Sequence, residues 1–320
     1  MLFSDESQVR AICLNCISHP CIDYDYEMLK PDILPGMPHN LNTKVCPIDS
    51  IKIGGDGFPQ IDSTSCIGCG ICLSKCKYGA IHLTSDNKAL VNRGTHQHVD
   101  WVEELSYEDF QNREGAFSQI ELDYLPIMIS KKYFNELYSK ILSFCKSNNG
   151  AENYFVRNLF LNLGLNTKVR VIGNNDIRFD LIGTIQNDII VGEIGLNGTD
   201  ILEEPRAILD DVAVLNSRYG FEINSIKPVI ITLSFPNKRS DVYEVIYDIQ
   251  KILSIRIITI SFHILILLNL FRKKVDINEM IKLFYVDKDN KSILEATIKI
   301  FPDIIKIDPY YNSEFYQAIK

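Results

Sequence analysis

The chain has 320 residues, 46% of them hydrophobic and 23% charged, with a formal net charge of −8. That length predicts two domains of roughly 100–200 residues each, and the composition is that of an ordinary soluble globular protein rather than a disordered or fibrous one. The negative field repels nucleic acid at long range, so a nucleic-acid contact needs a local basic patch, and only short ones such as Lys238-Arg239 and Arg272-Lys273-Lys274 are visible.

The chain opens with cysteines. Cys13-x2-Cys16-x4-Cys21 supplies three thiols, and Cys46, followed by Pro47, supplies a fourth after an intervening stretch of residues 22–45. Cys66-x2-Cys69-x2-Cys72-x3-Cys76 follows, the spacing with which a coiled loop wraps an iron–sulfur cube. Gly68 and Gly70 give that loop the freedom to coil. The segments after Cys46 and Cys76 repeat. Ile51-Lys52-Ile53 and Ile81-His82-Leu83 each pass through a turn (Gly54 to Gly57; Ser85 to Lys88) into a second apolar strand, Gln60-Ile61-Asp62 and Ala89-Leu90-Val91. Two hairpins from a duplicated unit are predicted.

Over residues 8–95 this pattern resembles bacterial-type 2[4Fe-4S] ferredoxins. The resemblance implies two [4Fe-4S] clusters with crossed ligation: Cys66, Cys69 and Cys72 with Cys46, and Cys13, Cys16 and Cys21 with Cys76. The first run departs from the family in its x4 spacing and in the insertion, expected to lie over the first cluster. Lys77 replaces the proline that follows the last cysteine, and its charge favours the reduced cluster. Zinc is the alternative ligand for such thiols, although zinc sites more often pair two C-x2-C knuckles across a spacer. No secretory signal is visible, disulfides are not expected, and thiol ligands point to a reducing, cytoplasmic location.

Residues 96–130 read as a polar linker with His96, His98 and the anchor Trp101. His19, His39, His82 and His263 have no evident partners and read as structural or exposed. Residues 131–275 read as an α/β domain. Helices are expected at Lys131–Lys146 (with Cys145 as a buried core thiol), Ala151–Leu163, Glu203–Arg218 and Asp241–Leu253. Strands are expected at Lys168–Ile172, Ile177–Ile185, Ile189–Ile194, Val229–Leu233 and Arg256–Ile260. The apolar run Ile257 to Phe271 is broken by Thr259, Ser261, His263 and Asn269, too short for a comfortable membrane span, and reads as a buried strand entering a core helix. Residues 276–320 form a helical and irregular extension.

This order resembles the restriction-endonuclease-like PD-(D/E)xK core, αβββαβ, carried by Glu152, Asp180 and Glu193-Ile194-Gly195. The resemblance implies Mg²⁺ at Asp180 and Glu193 with Glu152 in support, for phosphodiester hydrolysis. The motif lysine is missing, since Gly195 stands at its position, and Lys168, Arg170 and Arg178 are the nearest substitutes. The plainer alternative makes Asp180 and Glu193 strand-end acids of a binding or dimerisation fold.

The expected fold class is therefore α+β: a ferredoxin-like two-cluster domain followed by a restriction-endonuclease-like α/β domain with a central mixed sheet. Three functions stay open. One is an iron–sulfur redox protein whose second domain recognises a partner, either protein or nucleic acid. Another is a Mg²⁺-dependent nuclease with structural or regulatory clusters. The last is an electron-carrier subunit docking with a redox partner or a larger oxidoreductase complex. No membrane partner is expected.

Overall fold

A computed structural model describes residues 13, 19–25, 29, 42–76, 79–84, 88–92, 131–170, 178–196, 201–233, 235–236, 240–270, 282, 284–285, 295 and 299. The chain folds as two compact units. The first takes Met1–Met28, Asn42–Ser147 and Asn269–Arg272; the second takes Leu29–Leu41, Asn148–Leu268 and Lys273–Lys320. Cys16, His39, Lys77, the linker with His96, His98 and Trp101, and the short basic runs at 238–239 and 272–274 lie outside the described residues.

The first unit is built on the two expected hairpins. Strand β1 (Ile51–Ile53) pairs antiparallel with β2 (Pro59–Ile61), Ile51 opposite Ile61. After helix α1 (Ile71–Lys75), β3 (Ile81–Leu83) pairs antiparallel with β4 (Ala89–Val91), Ile81 opposite Val91. Ile51, Ile81, Leu83 and Ala89 are buried. The first turn is closed by Gly54 N–H donating to Phe58 O at 2.8 Å, with Gly57 at φ 79°. The second is closed by Thr84 N–H donating to Lys88 O at 2.8 Å. Helix α2 (Lys131–Ser147) also falls in this unit, with Leu137 and Ile141 buried. Cys145, expected to be buried, is partly exposed on α2, because the helix turns its Leu137–Ile141 stripe inward and sets its last turn toward solvent.

The second unit is one mixed five-stranded sheet with helices against it. Helix α3 (Ala151–Asn162) leads into β5 (Asn166–Val169), β6 (Leu181–Ile185) and β7 (Asp188–Gly195), an antiparallel meander. The β6–β7 turn holds Gln186 at φ 53°. Helix α4 (Glu204–Tyr219) carries Pro205 in its first turn and is capped by Gly220, φ 75°, whose N–H donates to Asn216 O at 3.1 Å while Phe221 N–H donates to Leu215 O at 3.2 Å. That left-handed glycine closes the helix in a Schellman-type cap. Strand β8 (Ile226–Thr232) then lies parallel to β7. Helix α5 (Asp241–Leu253), capped by the Ser240 hydroxyl accepting Val242 N–H at 3.4 Å, returns the chain to β9 (Ile258–Ser261), parallel to β8. Sheet order follows chain order from β5 to β9. The parallel strands need crossover helices, and α4 and α5 provide them.

The αβββαβ order and the mixed sheet are thus present from α3 to β8, with boundaries within a few residues of the expected ones. β6 is the largest shift, since it starts at Leu181 rather than Ile177. The apolar run resolves as expected into β9 and helix α6 (Phe262–Leu270), in which Phe262 and every residue from Ile264 to Leu270 is buried. A helix apolar all round its circumference belongs inside a core. Among the described residues no helix is long and apolar enough to cross a membrane.

Candidate metal centre

The sequence brings four thiols to one place by simple local means. Asp62 makes the turn before the second cysteine run. Its carboxylate accepts Thr64 N–H at 2.9 Å, the Thr64 hydroxyl at 2.7 Å and the Ser65 hydroxyl at 2.8 Å. Its carbonyl then accepts Cys66 N–H at 3.0 Å, which fixes where the run begins. Those donors hold the Asp62 carboxyl down at about 2. The loop that follows curls through Gly68 and Gly70, both at φ 76°, a region that favours glycine.

Cys46, Cys66, Cys69 and Cys72 line one cavity, together with Ile48, Ile51, Ile61, Ile67, Ile71 and Ala89. Cys46 comes from the first half of the repeat and the other three from the second, the crossed grouping that the resemblance implied. Backbone amides point at the sulfurs: Ser50 N–H donates to Cys46 Sγ at 3.3 Å and Ala89 N–H to Cys66 Sγ at 3.4 Å. Burial pushes the Cys46, Cys69 and Cys72 thiols up, and the neighbouring sulfurs add to the shift. Crowded buried thiols of this kind lose their protons when a cation displaces them. Four thiols lining one cavity match in number the four iron corners of an iron–sulfur cube.

The other cysteine set is partly in view. Cys13, Cys21 and Cys76 are buried, and Cys16 lies outside the described residues. The stem of the 22–45 insertion is zipped. Val45 N–H donates to Ile22 O at 2.9 Å, Tyr24 N–H donates to Thr43 O at 2.7 Å, and Lys44 Nζ pairs with Asp23 at 3.3 Å. This short ladder sets Cys21 and Cys46 at the same end of the stem. Cys21 is also among the sulfurs that raise the Cys72 thiol. Tyr24, beside the stem, lies under the Lys75 ammonium at 5.0 Å.

In the second unit the register sets the predicted acids side by side. One step beyond Leu181 opposite Gly192, Asp180 stands across from Glu193. Asp180 Oδ2 accepts Ile194 N–H at 3.3 Å, and Arg170 Nη2 lies 3.2 Å from its Oδ1. Burial raises Asp180, against the lowering effect of Arg170, Ile194 N–H and the Asn153 side chain. From α3 it is therefore Asn153 that reaches Asp180. Glu152 occupies the helix's first turn, where a carboxylate complements the helix dipole.

Burial, with Asp211, Asp180 and Glu204 around it, pushes Glu193 up to about 10. Asp211 on α4, buried to 1% exposure, is pushed up to about 6 by burial and by neighbouring acids, and it lies within hydrogen-bonding reach of Glu193. A proton is needed between those two carboxyls. Of the three substitute cations, Arg170 pairs with Asp180, Arg178 pairs with Asp210 at 3.5 Å, and Lys168 is buried on β5. A Cβ on Gly195 would meet the Glu204 carboxylate. Sequence reasoning missed Asp211, Asn153 and Asp62. Only Asp62 carried a local signal, an Asp with Thr two residues later.

A protein-family profile described as "4Fe-4S binding domain" matches residues 58–81, which span Cys66, Cys69, Cys72 and Cys76. The N-terminal region holds a ferredoxin-type 4Fe-4S domain. Its relatives agree. The formate dehydrogenase iron-sulfur subunit of Wolinella succinogenes is 29% identical over 79 residues, 25% of this chain and 29% of its own length. A selenate reductase subunit of Mesobacillus selenatarsenatis is 38% identical over 66 residues, 21% of this chain and 22% of its own. An uncharacterized ferredoxin of Methanocaldococcus jannaschii is 30% identical over 84 residues, 24% of this chain and 41% of its own. The chain thus spans less than half the length of these relatives. No solved structure matches it.

Proposed function

We propose that the chain is an iron–sulfur electron-transfer or redox-sensing protein with two [4Fe-4S] clusters, working with a redox partner protein or inside a larger complex. The convergence of Cys46 with Cys66, Cys69 and Cys72 around one cavity carries this reading. A bound cluster supplies one-electron chemistry. The chain's own residues do the rest: thiolates hold the iron, the Ser50 and Ala89 amides offset sulfur charge, and the isoleucine lining keeps water out. Cys13, Cys16, Cys21 and Cys76 are assigned the second cluster by the ferredoxin resemblance, and the burial of Cys13, Cys21 and Cys76 is in keeping with that role. Relatives named as subunits of formate dehydrogenase and selenate reductase support work in a complex. We place the protein in the cytoplasm, since thiol ligands require a reducing compartment. Iron and acid-labile sulfide on anaerobically purified protein, with electron paramagnetic resonance of the reduced form, test the proposal. About eight of each per chain and two coupled signals are expected, and zinc in their place removes the reading.

A second reading makes the second unit a restriction-endonuclease-like domain. Asp180 across from Glu193 in a mixed sheet of αβββαβ order favours it. Asp180 and Glu193, with Glu152 in support, would then hold Mg²⁺ for phosphodiester hydrolysis, once the metal displaces the proton on Glu193. DNA and RNA substrates incubated with Mg²⁺ or Mn²⁺ test it. Cleavage that survives Asp180→Ala ends this mechanism, and absence of cleavage leaves the fold as a platform for binding a protein or nucleic-acid partner.

A further inference from the structure

Two residues far along the chain close over the loop that carries Cys69 and Cys72. Asn269 and Leu270 belong to the first unit and are buried. The Ser74 hydroxyl on α1 donates to Asn269 Oδ1 at 2.7 Å, across 195 residues of sequence. Leu270 presses its Cδ2 methyl onto Gly70, where any Cβ would collide with it. Gly70 lies between two of the thiols that ring the cavity, and its carbonyl accepts Ser74 N–H at 3.1 Å. The backbone at φ 76° favours glycine at position 70, and a Cβ there would force the Leu270 methyl to shift.

We propose that Leu270 and Asn269 form a clamp on the Gly68–Cys72 loop that keeps water from the centre held by Cys46, Cys66, Cys69 and Cys72 and so sets its reduction potential. Both are positioning residues, and the proposal rests on the cluster reading given above. Reduction adds an electron to a centre that is already negative. Water stabilises the more highly charged state, so a dry loop holds the potential low, and opening the loop raises it. Leu270 acts by exclusion, having no polar group. Asn269 acts by anchoring the segment to α1 through Ser74.

The test uses the full chain, purified anaerobically, as wild type and as Leu270→Ala, Leu270→Met, Ser74→Ala and Asn269→Ser. Leu215→Ala, a fully buried position on α4 in the second unit, is the packing control. Iron and sulfide content, midpoint potential and the rate of bleaching by an iron chelator are read for each. The expected result is wild-type iron content throughout. Leu270→Ala shifts one midpoint to a more positive value and bleaches several-fold faster, Leu270→Met restores both, and Ser74→Ala and Asn269→Ser shift the same way by less. Leu215→Ala shifts neither. Full iron content with an unchanged potential and bleaching rate in Leu270→Ala overturns the clamp while leaving the cluster site standing. An equal shift in Leu215→Ala also overturns it. Should Leu270→Ala fail to fold, wild-type values in both Ser74→Ala and Asn269→Ser overturn it instead. A wild type without iron and sulfide overturns the site itself, and the clamp with it.

Discussion

Arg170 Nη2 lies 3.2 Å from Asp180 Oδ1. The register places them together: one step past Val169 opposite Leu181, Arg170 stands across from Asp180, which in turn stands across from Glu193. The hairpin thus takes its cation from the end of β5, while position 195 is a glycine beside Glu204. Asp180 is raised in the folded state, by burial first, and Arg170 opposes the rise. A carboxyl raised above its unfolded value of 3.8 leaves the native state holding extra proton, so its cost is absent below 3.8 and grows as pH rises. Arg170→Ala should therefore cost about 1 kcal/mol near neutral pH and almost nothing in acid. Thermal unfolding of variant and wild type from pH 4 to 8 measures the difference, and a gap that does not widen with pH contradicts the pairing.

Glu193 should be a burden on stability. Its folded value is raised from 4.5 to about 10, so the native chain keeps a proton that the unfolded chain releases across that window, and stability falls as pH rises through it. Glu193→Gln keeps the shape and a donor toward Asp211. The variant should melt higher than wild type at pH 8 and about equal to it at pH 4, by about 2–4 °C for each kcal/mol recovered. Scanning calorimetry at the two pH values decides it.

Asp62 behaves oppositely. Its folded value is held down, from 3.8 to about 2, by Thr64 and Ser65 donors. Stability from this turn is present above 3.8 and is lost as pH falls toward 2. Asp62→Ala should lower the melting temperature at pH 7, loosen the start of the Cys66 loop and speed chelator bleaching. At pH 2 the variant and wild type should converge.

Ligand assignment is testable by counting iron. Cys46→Ala and Cys66→Ala should each remove about four iron atoms per chain, half of the expected total, while Cys145→Ser removes none. Loss from Cys46→Ala that matches the loss from Cys66→Ala supports shared ligation of one cluster by both halves of the repeat. Iron left intact in Cys46→Ala rules out the crossed arrangement.

The second unit's stability should sit in its central strands. Ile231 on β8 is fully buried between parallel neighbours, and Ile231→Ala should cost about 2–5 kcal/mol in denaturant unfolding. Ile252, 75% exposed at the end of α5, should tolerate alanine within about 0.5 kcal/mol.

The cysteine runs and the hairpin repeat were legible because both are local: spacing along the chain decides which thiols a tight loop can offer, and alternation decides which face of a strand is apolar. The same holds for the strand and helix order from α3 to α6, where Gly150, Gly164 and Gly220 punctuate apolar periodicity. Asp180 and Glu193 were legible as neighbours because both fall on one hairpin and face the same side of it, while the tight Gln186-Asn187 turn, with Asp188 already in β7, was not. Asp211 was not, because it reaches Glu193 only after α4 packs on the sheet. Nor was Asn153, which looked like one more helix residue beside the more conspicuous Glu152. Asn269 and Leu270 were read as part of an apolar run, and nothing in that run says that its end meets Ser74 and Gly70. Cys145 was misjudged because a cysteine in an apolar helix reads as core, whereas the helix turns it partly outward.

Leu270 also imposes an order in time on a chain made from its N-terminus. Every cysteine of both runs has been translated when Cys76 appears, yet the residues that meet Ser74 and Gly70 follow some 195 positions later. At about 5–20 residues per second that interval is roughly 10–40 s. Through it the thiol pocket exists without Asn269 and Leu270 over its loop, which leaves a door open to a cofactor-delivery machinery until those two residues have been made.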